Sequence, residues 1–201
     1  SQKIISPESH KNILDFGCGT GEFLHLYNLM DNLKQGIGVE IDLDLLAHCR
    51  KHRTNNIDYC HNDDKFYIMN KDFFDVAFSQ EVMYTIENLE IHAENMFSII
   101  RPGGFYFATI GCHIESPLWS LRRELIRKEE KYYAYDYSID QIANIFYGKG
   151  FEVGVKRLSP ELPYIFHPKI TRDFSNSLIQ LIDSTDDRKI IFSFYKPIRR
   201  E

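Results

Sequence analysis

The 201-residue chain is poor in cysteine, has one tryptophan and contains no long apolar run. Cys18, Cys49, Cys60 and Cys112 form no C-x-x-C pair, so neither zinc-ligand spacing nor a disulfide framework is written into them. Cys112 and His113 are neighbours, but two adjacent ligands without partners do not make a site, and no metal is expected. Free thiols suit a reducing compartment, so the expected location is cytoplasmic. No stretch approaches the roughly 20 apolar residues that span a bilayer, so no membrane partner is expected. The first residues, Ser1 to Pro7, lack the apolar core of a secretory signal. Internal repeats and low-complexity tracts are absent. A cationic surplus is absent too: 24 Lys and Arg against 29 Asp and Glu leave a net charge of −5, which argues against nucleic acid as a partner.

What is present is a chain for a packed core, 43% hydrophobic and 14% aromatic. Its length fits one domain over 1–201. Strand and helix signals alternate, which predicts an α/β fold on a mostly parallel sheet. Strands are expected at Asn12 to Phe16, Gly36 to Glu40, Ile57 to Cys60, Phe74 to Ser79, Gly104 to Ile110, Phe151 to Val155 and Ile190 to Tyr195. Helical periodicity predicts a helix from Thr20 to Leu33 with Phe23, Leu26, Tyr27 and Met30 on one face. A second helix begins after the capping residue Asp42. A third runs from Ile86 to Ile100 and is ended by Arg101-Pro102-Gly103-Gly104. Further helices are expected at Leu118 to Lys131, after Ser138 and at Phe174 to Ile182.

The chemistry concentrates where the first strand ends. Gly17, Gly19 and Gly21 alternate directly after a strand and open a helix, a pattern that turns the backbone tightly and lets a ligand approach it closely. A dinucleotide fingerprint needs glycine where Glu22 stands, and a carboxylate there would face a pyrophosphate. Glu40 closes the second strand, 19 residues past Gly21, where a carboxylate can accept hydrogen bonds from both hydroxyls of a ribose. The implied ligand is a nucleoside without a pyrophosphate.

These residues resemble the class I S-adenosylmethionine-dependent methyltransferases. Asp15 to Gly21 is similar to that family's first motif, Gly38 to Asp42 to its second strand, Phe74 to Ser79 with Val82 to its fourth, and Arg101 to Gly104 with the following strand to its fifth. The resemblance implies a three-layer Rossmann-like sandwich with strand order 3-2-1-4-5-7-6 and an antiparallel last strand. It implies S-adenosylmethionine as cofactor, its methionine end held by Asp15 and the backbone of Gly17, Cys18, Gly19 and Gly21. Glu40 would hold the ribose and Ile41 pack against adenine. Asp63 would accept from the adenine amino group, with Asn62 or Asp64 as alternatives. Gln80 would line the methionine side.

The implied reaction is in-line displacement of a methyl group from a sulfonium, for which alignment, water exclusion and sometimes a base suffice. His113 and Glu115 after the fifth strand, and Tyr84 with Glu81 after the fourth, are the candidate bases. No Asx/Ser-Pro-Pro-aromatic box follows the fourth strand and no Pro-Cys nucleophile is present, so a small-molecule methyl acceptor is expected. Segments 111–137 and 156–189 are the expected substrate or lid elements, with Trp119, Tyr132 to Tyr137, Tyr164 and Phe166 able to wall a pocket. A non-catalytic S-adenosylmethionine-binding scaffold subunit is the alternative reading. An aminopropyl transferase would share the fold. A nicotinamide oxidoreductase is disfavoured by Glu22.

Overall fold

The structure, a computed structural model, describes residues 11–30, 33–129, 132–158 and 189–198, together with Ile179. Its strands are β1 (Lys11–Phe16), β2 (Leu33–Glu40), β3 (Ile57–His61), β4 (Phe74–Gln80), β5 (Ile100–Ile110), β6 (Glu152–Arg157) and β7 (Ile190–Tyr195). Its helices are α1 (Glu22–Met30), α2 (Leu43–Cys49), α3 (Asp64–Met69), α4 (Leu89–Ile99), α5 (Trp119–Glu129) and α6 (Ile139–Gly148). The strands form one sheet in the order β3-β2-β1-β4-β5-β7-β6, as expected. β1 pairs in parallel with β2 and β4, and β2 with β3. The last strand is reversed: Gly103 N–H donates to Lys196 O while Lys196 N–H donates to Gly104 O, joining the start of β5 to the residue after β7. No described helix is long and apolar enough to cross a membrane.

The chain falls into two compact units. One holds Ser1–Ser79, Asn95–Phe107 and Tyr195–Glu201; the other holds Gln80–Glu94 and Ala108–Phe194. The first unit is built on a cluster that includes Ile13, Leu24, Leu46, Ile57, Tyr59 and Val76. In the second, Phe146 on α6 stacks on Phe194 with centroids 3.9 Å apart, and Phe151 and Phe192 complete the aromatic group. Ser138 caps α6 by accepting the Gln141 N–H, and Ile142 and Phe146 are its buried residues, as the periodicity predicts.

Three boundaries depart from expectation. α1 ends at Met30, and Leu33 opens β2 opposite Lys11 rather than closing a helix. The inward face also turns: Leu24 is buried against Gly36, while Leu26 and Met30 are exposed. Phe23 and Tyr27 do face inward and pack on Phe78. α4 starts at Leu89 instead of Ile86, because the Asn88 side chain accepts the Ile91 N–H and sets the cap there. β5 starts at Ile100 rather than Gly104, because the pairing with Lys196 carries the ladder through Gly103 and Gly104; Pro102, lacking an N–H, is tolerated near the strand's start. α3 had no expectation, and the helix expected at Phe174 to Ile182 lies outside the described residues apart from Ile179.

Candidate active site

The loop between β1 and α1 needs all three of its glycines. Gly17, Gly19 and Gly21 have φ of 73°, 54° and 83°, the left-handed region that a Cβ opposes. Its N–H groups are turned inward. Gly17 and Cys18 both donate to Val39 O, and Gly21 donates to Cys18 O. Gly19 N–H donates to Glu40 Oε2 at 2.8 Å. A pyrophosphate cradle presents such donors to the ligand; here these four are spent within the fold.

Two residues that sequence reasoning missed hold this loop from below. Tyr59 on β3 donates its hydroxyl to Gly21 O at 2.7 Å, and Cys49 donates its thiol to Gly19 O at 3.0 Å. Tyr59 explains a second requirement for glycine. A Cβ at Gly21 would lie 2.8 Å from its ring, and one at Gly38 would lie 2.5 Å from it and 2.9 Å from Cys18 Sγ. The only signal in the sequence was an aromatic residue on a short strand, which says nothing about what it touches. Cys18 is buried, and burial with Asp15 nearby pushes its thiol well up, which suits a spacer and opposes a nucleophile.

Glu40 is buried at the end of β2. Its Oε1 accepts the N–H groups of Ile41 at 2.8 Å and Asp42 at 3.0 Å, and its Oε2 takes the Gly19 donor. A carboxylate oxygen has two lone pairs, so Oε1 is filled and Oε2 keeps one acceptor position. Asp15 is also buried, and desolvation reinforced by the Glu40 charge raises its carboxyl to about 7. Beside them, Ile41 is 57% exposed, an aliphatic side chain left available to an apolar ring. A Cβ at Gly19 would meet nothing within 4 Å, so open space borders the loop there. Two buried carboxylates, an exposed aliphatic residue and a bare glycine fit a nucleoside with a cationic end. Asp63 uses Oδ1 to accept the Phe66 N–H at 3.0 Å and cap α3, so its Oδ2 is the oxygen left for a ligand.

The remaining expected residues lie in the second unit. Gln80 is the exposed last residue of β4. His113 is 1% exposed, and its Nδ1 lies 3.0 Å from Glu115 Oε2. Both Glu115 carboxylate oxygens accept the Ile139 N–H, at 3.2 and 3.3 Å, so this acid also anchors the start of α6. The structure thus joins His113 to Glu115. Tyr84 is engaged elsewhere, packing edge-on against Trp119 at 6.0 Å while its carbonyl accepts the Tyr135 N–H.

The aromatics of 111–137 are mostly wired into this unit. Trp119 Nε1 donates to Asp136 Oδ1 at 2.7 Å, and the Tyr137 hydroxyl contacts the carbonyls of Ile86 and Glu87 at 2.7 and 2.9 Å. Tyr133 is exposed, with Arg127 over its ring at 4.2 Å. Tyr164, Phe166 and nearly all of the 156–189 segment lie outside the described residues.

A family model described as a methyltransferase domain matches residues 3–154. No curated protein matches the chain. Among solved structures, a chain of the complex between the Haloferax volcanii Trm112 methyltransferase activator and a methyltransferase is similar at 15% identity and TM-score 0.82, over 95% of this chain and 84% of that one. An S-adenosylmethionine-dependent methyltransferase from Mesorhizobium loti is similar at 16% identity and TM-score 0.69, over 94% and 93%. Geranyl diphosphate C-methyltransferase from Streptomyces coelicolor A3(2) is similar at 12% identity and TM-score 0.72, over 92% and 73%. At these identities the structural matches establish the fold.

Proposed function

The chain belongs to the methyltransferase domain family, and from that premise we propose that it moves a methyl group from S-adenosylmethionine to a small-molecule acceptor by in-line displacement. The observation that carries the reading is the Glu40 carboxylate. It bridges the glycine loop to the end of β2 and keeps an acceptor position at Oε2 for a sugar hydroxyl. The inward-turned N–H groups of the loop support a nucleoside over a dinucleotide.

When bound, the cofactor supplies a methyl group already activated by a sulfonium. The chain's own residues do the rest. Glu40 receives the ribose and Ile41 offers an apolar face to adenine. Asp63 Oδ2 receives the adenine amino group. The buried Asp15 carboxyl, raised to about 7 by burial, is drawn toward its charged form by a cationic methionine end. Gln80 serves the methionine side. Segments 111–137 and 156–189 supply the acceptor's surroundings within one catalytic domain over 1–201, and the enzyme works in the cytoplasm.

For proton removal, His113 is the base. Glu115 is the second candidate beside it, its oxygens also engaged by His113 and Ile139. It also positions His113: its Oε2 lies 3.0 Å from His113 Nδ1, and both its oxygens hold the start of α6. Tyr84, whose ring packs on Trp119, is the third candidate for proton removal.

The test is calorimetry with S-adenosylmethionine and S-adenosylhomocysteine, followed by transfer of labelled methyl to a panel of small acceptors. Binding at micromolar levels with label transfer is expected. No binding at millimolar cofactor overturns the reading. Binding without transfer across the panel favours the scaffold alternative.

A further inference from the structure

The support under the glycine loop comes from two strands away. Tyr59 lies on β3, the end strand of the sheet order, and β2 stands between it and β1. In the strand register Asp15 faces Gly38, and Gly38 faces Tyr59. That row carries a carboxylate, a bare backbone and an aromatic ring. A Cβ at Gly38 would lie 2.5 Å from the ring. Because none is there, the ring fits beside β2 and its hydroxyl reaches Gly21 O at 2.7 Å. Packing alone would be met by phenylalanine; the hydroxyl adds a bond that packing does not need.

Both ends of that bond are anchored. Tyr59 is buried, and burial pushes its phenol well up, so the hydroxyl keeps its proton and stays a donor. The Tyr59 carbonyl accepts the Arg50 Nε–H at 3.2 Å, which ties β3 to the residue after α2. Gly21 is the last residue before α1, and its N–H donates to Cys18 O. It is therefore held by the loop through its N–H and by β3 through its carbonyl. Two residues earlier, the Gly19 N–H donates to Glu40 Oε2, the oxygen proposed for the ribose. What fixes Gly21 thus bears on that carboxylate. Three glycines leave a loop many alternative shapes. Affinity scales with the fraction of chains whose loop already holds the binding shape.

We propose that Tyr59 is a positioning residue for the cofactor: through the Gly21 carbonyl, its hydroxyl holds the glycine loop in the shape that binds the nucleoside. A side chain on β3 then sets cofactor affinity by acting through the loop. The inference rests on the methyl-transfer reading and adds a residue to its cofactor end.

The test titrates S-adenosylhomocysteine into the full chain by calorimetry and reads amide hydrogen exchange of the free chain over residues 17–21. Tyr59→Phe keeps the ring, and with it the packing on Gly38, and removes only the hydroxyl. Its affinity should fall about threefold or more, the scale of one hydrogen bond, and residues 17–21 should exchange faster. Ile57→Val, which trims a buried side chain on the same strand, should bind as wild type does. A purely structural hydroxyl would lower the melting temperature of Tyr59→Phe and leave its affinity less than about threefold below wild type, which overturns the proposal. A fall in affinity without faster exchange overturns it too, because the effect would not pass through the loop. An equal fall in Ile57→Val overturns it by making the effect general to β3. A wild-type chain that ignores S-adenosylhomocysteine at millimolar levels is a different result: it overturns the methyl-transfer reading, and this inference with it.

Discussion

The glycine loop of the first unit and the His113 to Glu115 segment of the second are built by different means. In the loop the backbone is the working part. Three positive φ angles and inward-turned N–H groups fix its shape, and Glu40 closes it through contacts to main-chain donors. In the second segment side chains do the work. His113, Glu115 and the start of α6 form a chain of contacts that no local rule specifies. The contrast teaches that the glycine loop tolerates little variation in backbone, while the His113 to Glu115 segment can change chemistry by exchanging side chains.

The largest expected effect lies at the acceptor end. His113→Gln should lower methyl transfer by a factor of about 100 or more, the usual contribution of a general base, with cofactor affinity unchanged. Turnover equal to wild type would remove His113 from the mechanism and erase the functional half of the contrast. Because His113 is buried, thermal unfolding of the variant should be measured alongside.

Next comes the cofactor end. Glu40→Ala removes the acceptor of three backbone N–H groups as well as the proposed ribose contact. Its affinity for S-adenosylhomocysteine should fall roughly 10- to 100-fold, by the scale of hydrogen bonds to a charged group. An affinity within twofold of wild type would show that the sugar is held elsewhere.

Two glycine substitutions sharpen the comparison within the loop region. Gly38→Ala drives a methyl into Tyr59 and Cys18 and should cost about 2–3 kcal/mol of stability by denaturant titration, the scale of overpacking. Gly19→Ala projects into open space and should cost only about 1–2 kcal/mol, for its left-handed φ. Its main consequence should be weaker cofactor binding. If the two variants lose stability equally and bind equally, the distinction between a packing glycine and a ligand-facing glycine fails.

The smallest effect is a pH slope. The folded Asp15 carboxyl stands near 7, above its ordinary value of 3.8, so between these pH values the folded chain binds more protons than the unfolded one. Its contribution to stability therefore falls as pH rises from about 4 to 7 and is flat above. Asp15→Asn should raise the melting temperature by a few degrees at pH 8 and much less at pH 5. An equal shift at both pH values would contradict the burial argument.

Much of this was legible early, for stated reasons. The strands, the alternating glycines and Glu40 are local features that appear where expected, while the order of the strands followed from the family resemblance. Asp42 and Ser138 cap helices as their residue types predict. Leu33 was misassigned because a helical period ran on into the next strand, and only pairing with β1 settled it. Tyr59 and Cys49 were missed because a residue that supports a loop from a distant strand leaves no periodic trace. Glu115 is a candidate base by its spacing from the fifth strand, while its contacts with His113 and Ile139 are visible only in the structure.

By itself, then, the order of residues determined most of the strands, the bend after β1 and the acid that closes β2, because φ preference, apolar alternation and capping act over a few residues at a time. Tertiary structure alone decided that Tyr59 props that bend, that Glu115 is tied to Ile139, and that Glu81 pairs with Lys189. Those contacts join segments far apart in the chain, and their partners are chosen by packing and charge only once the strands have paired.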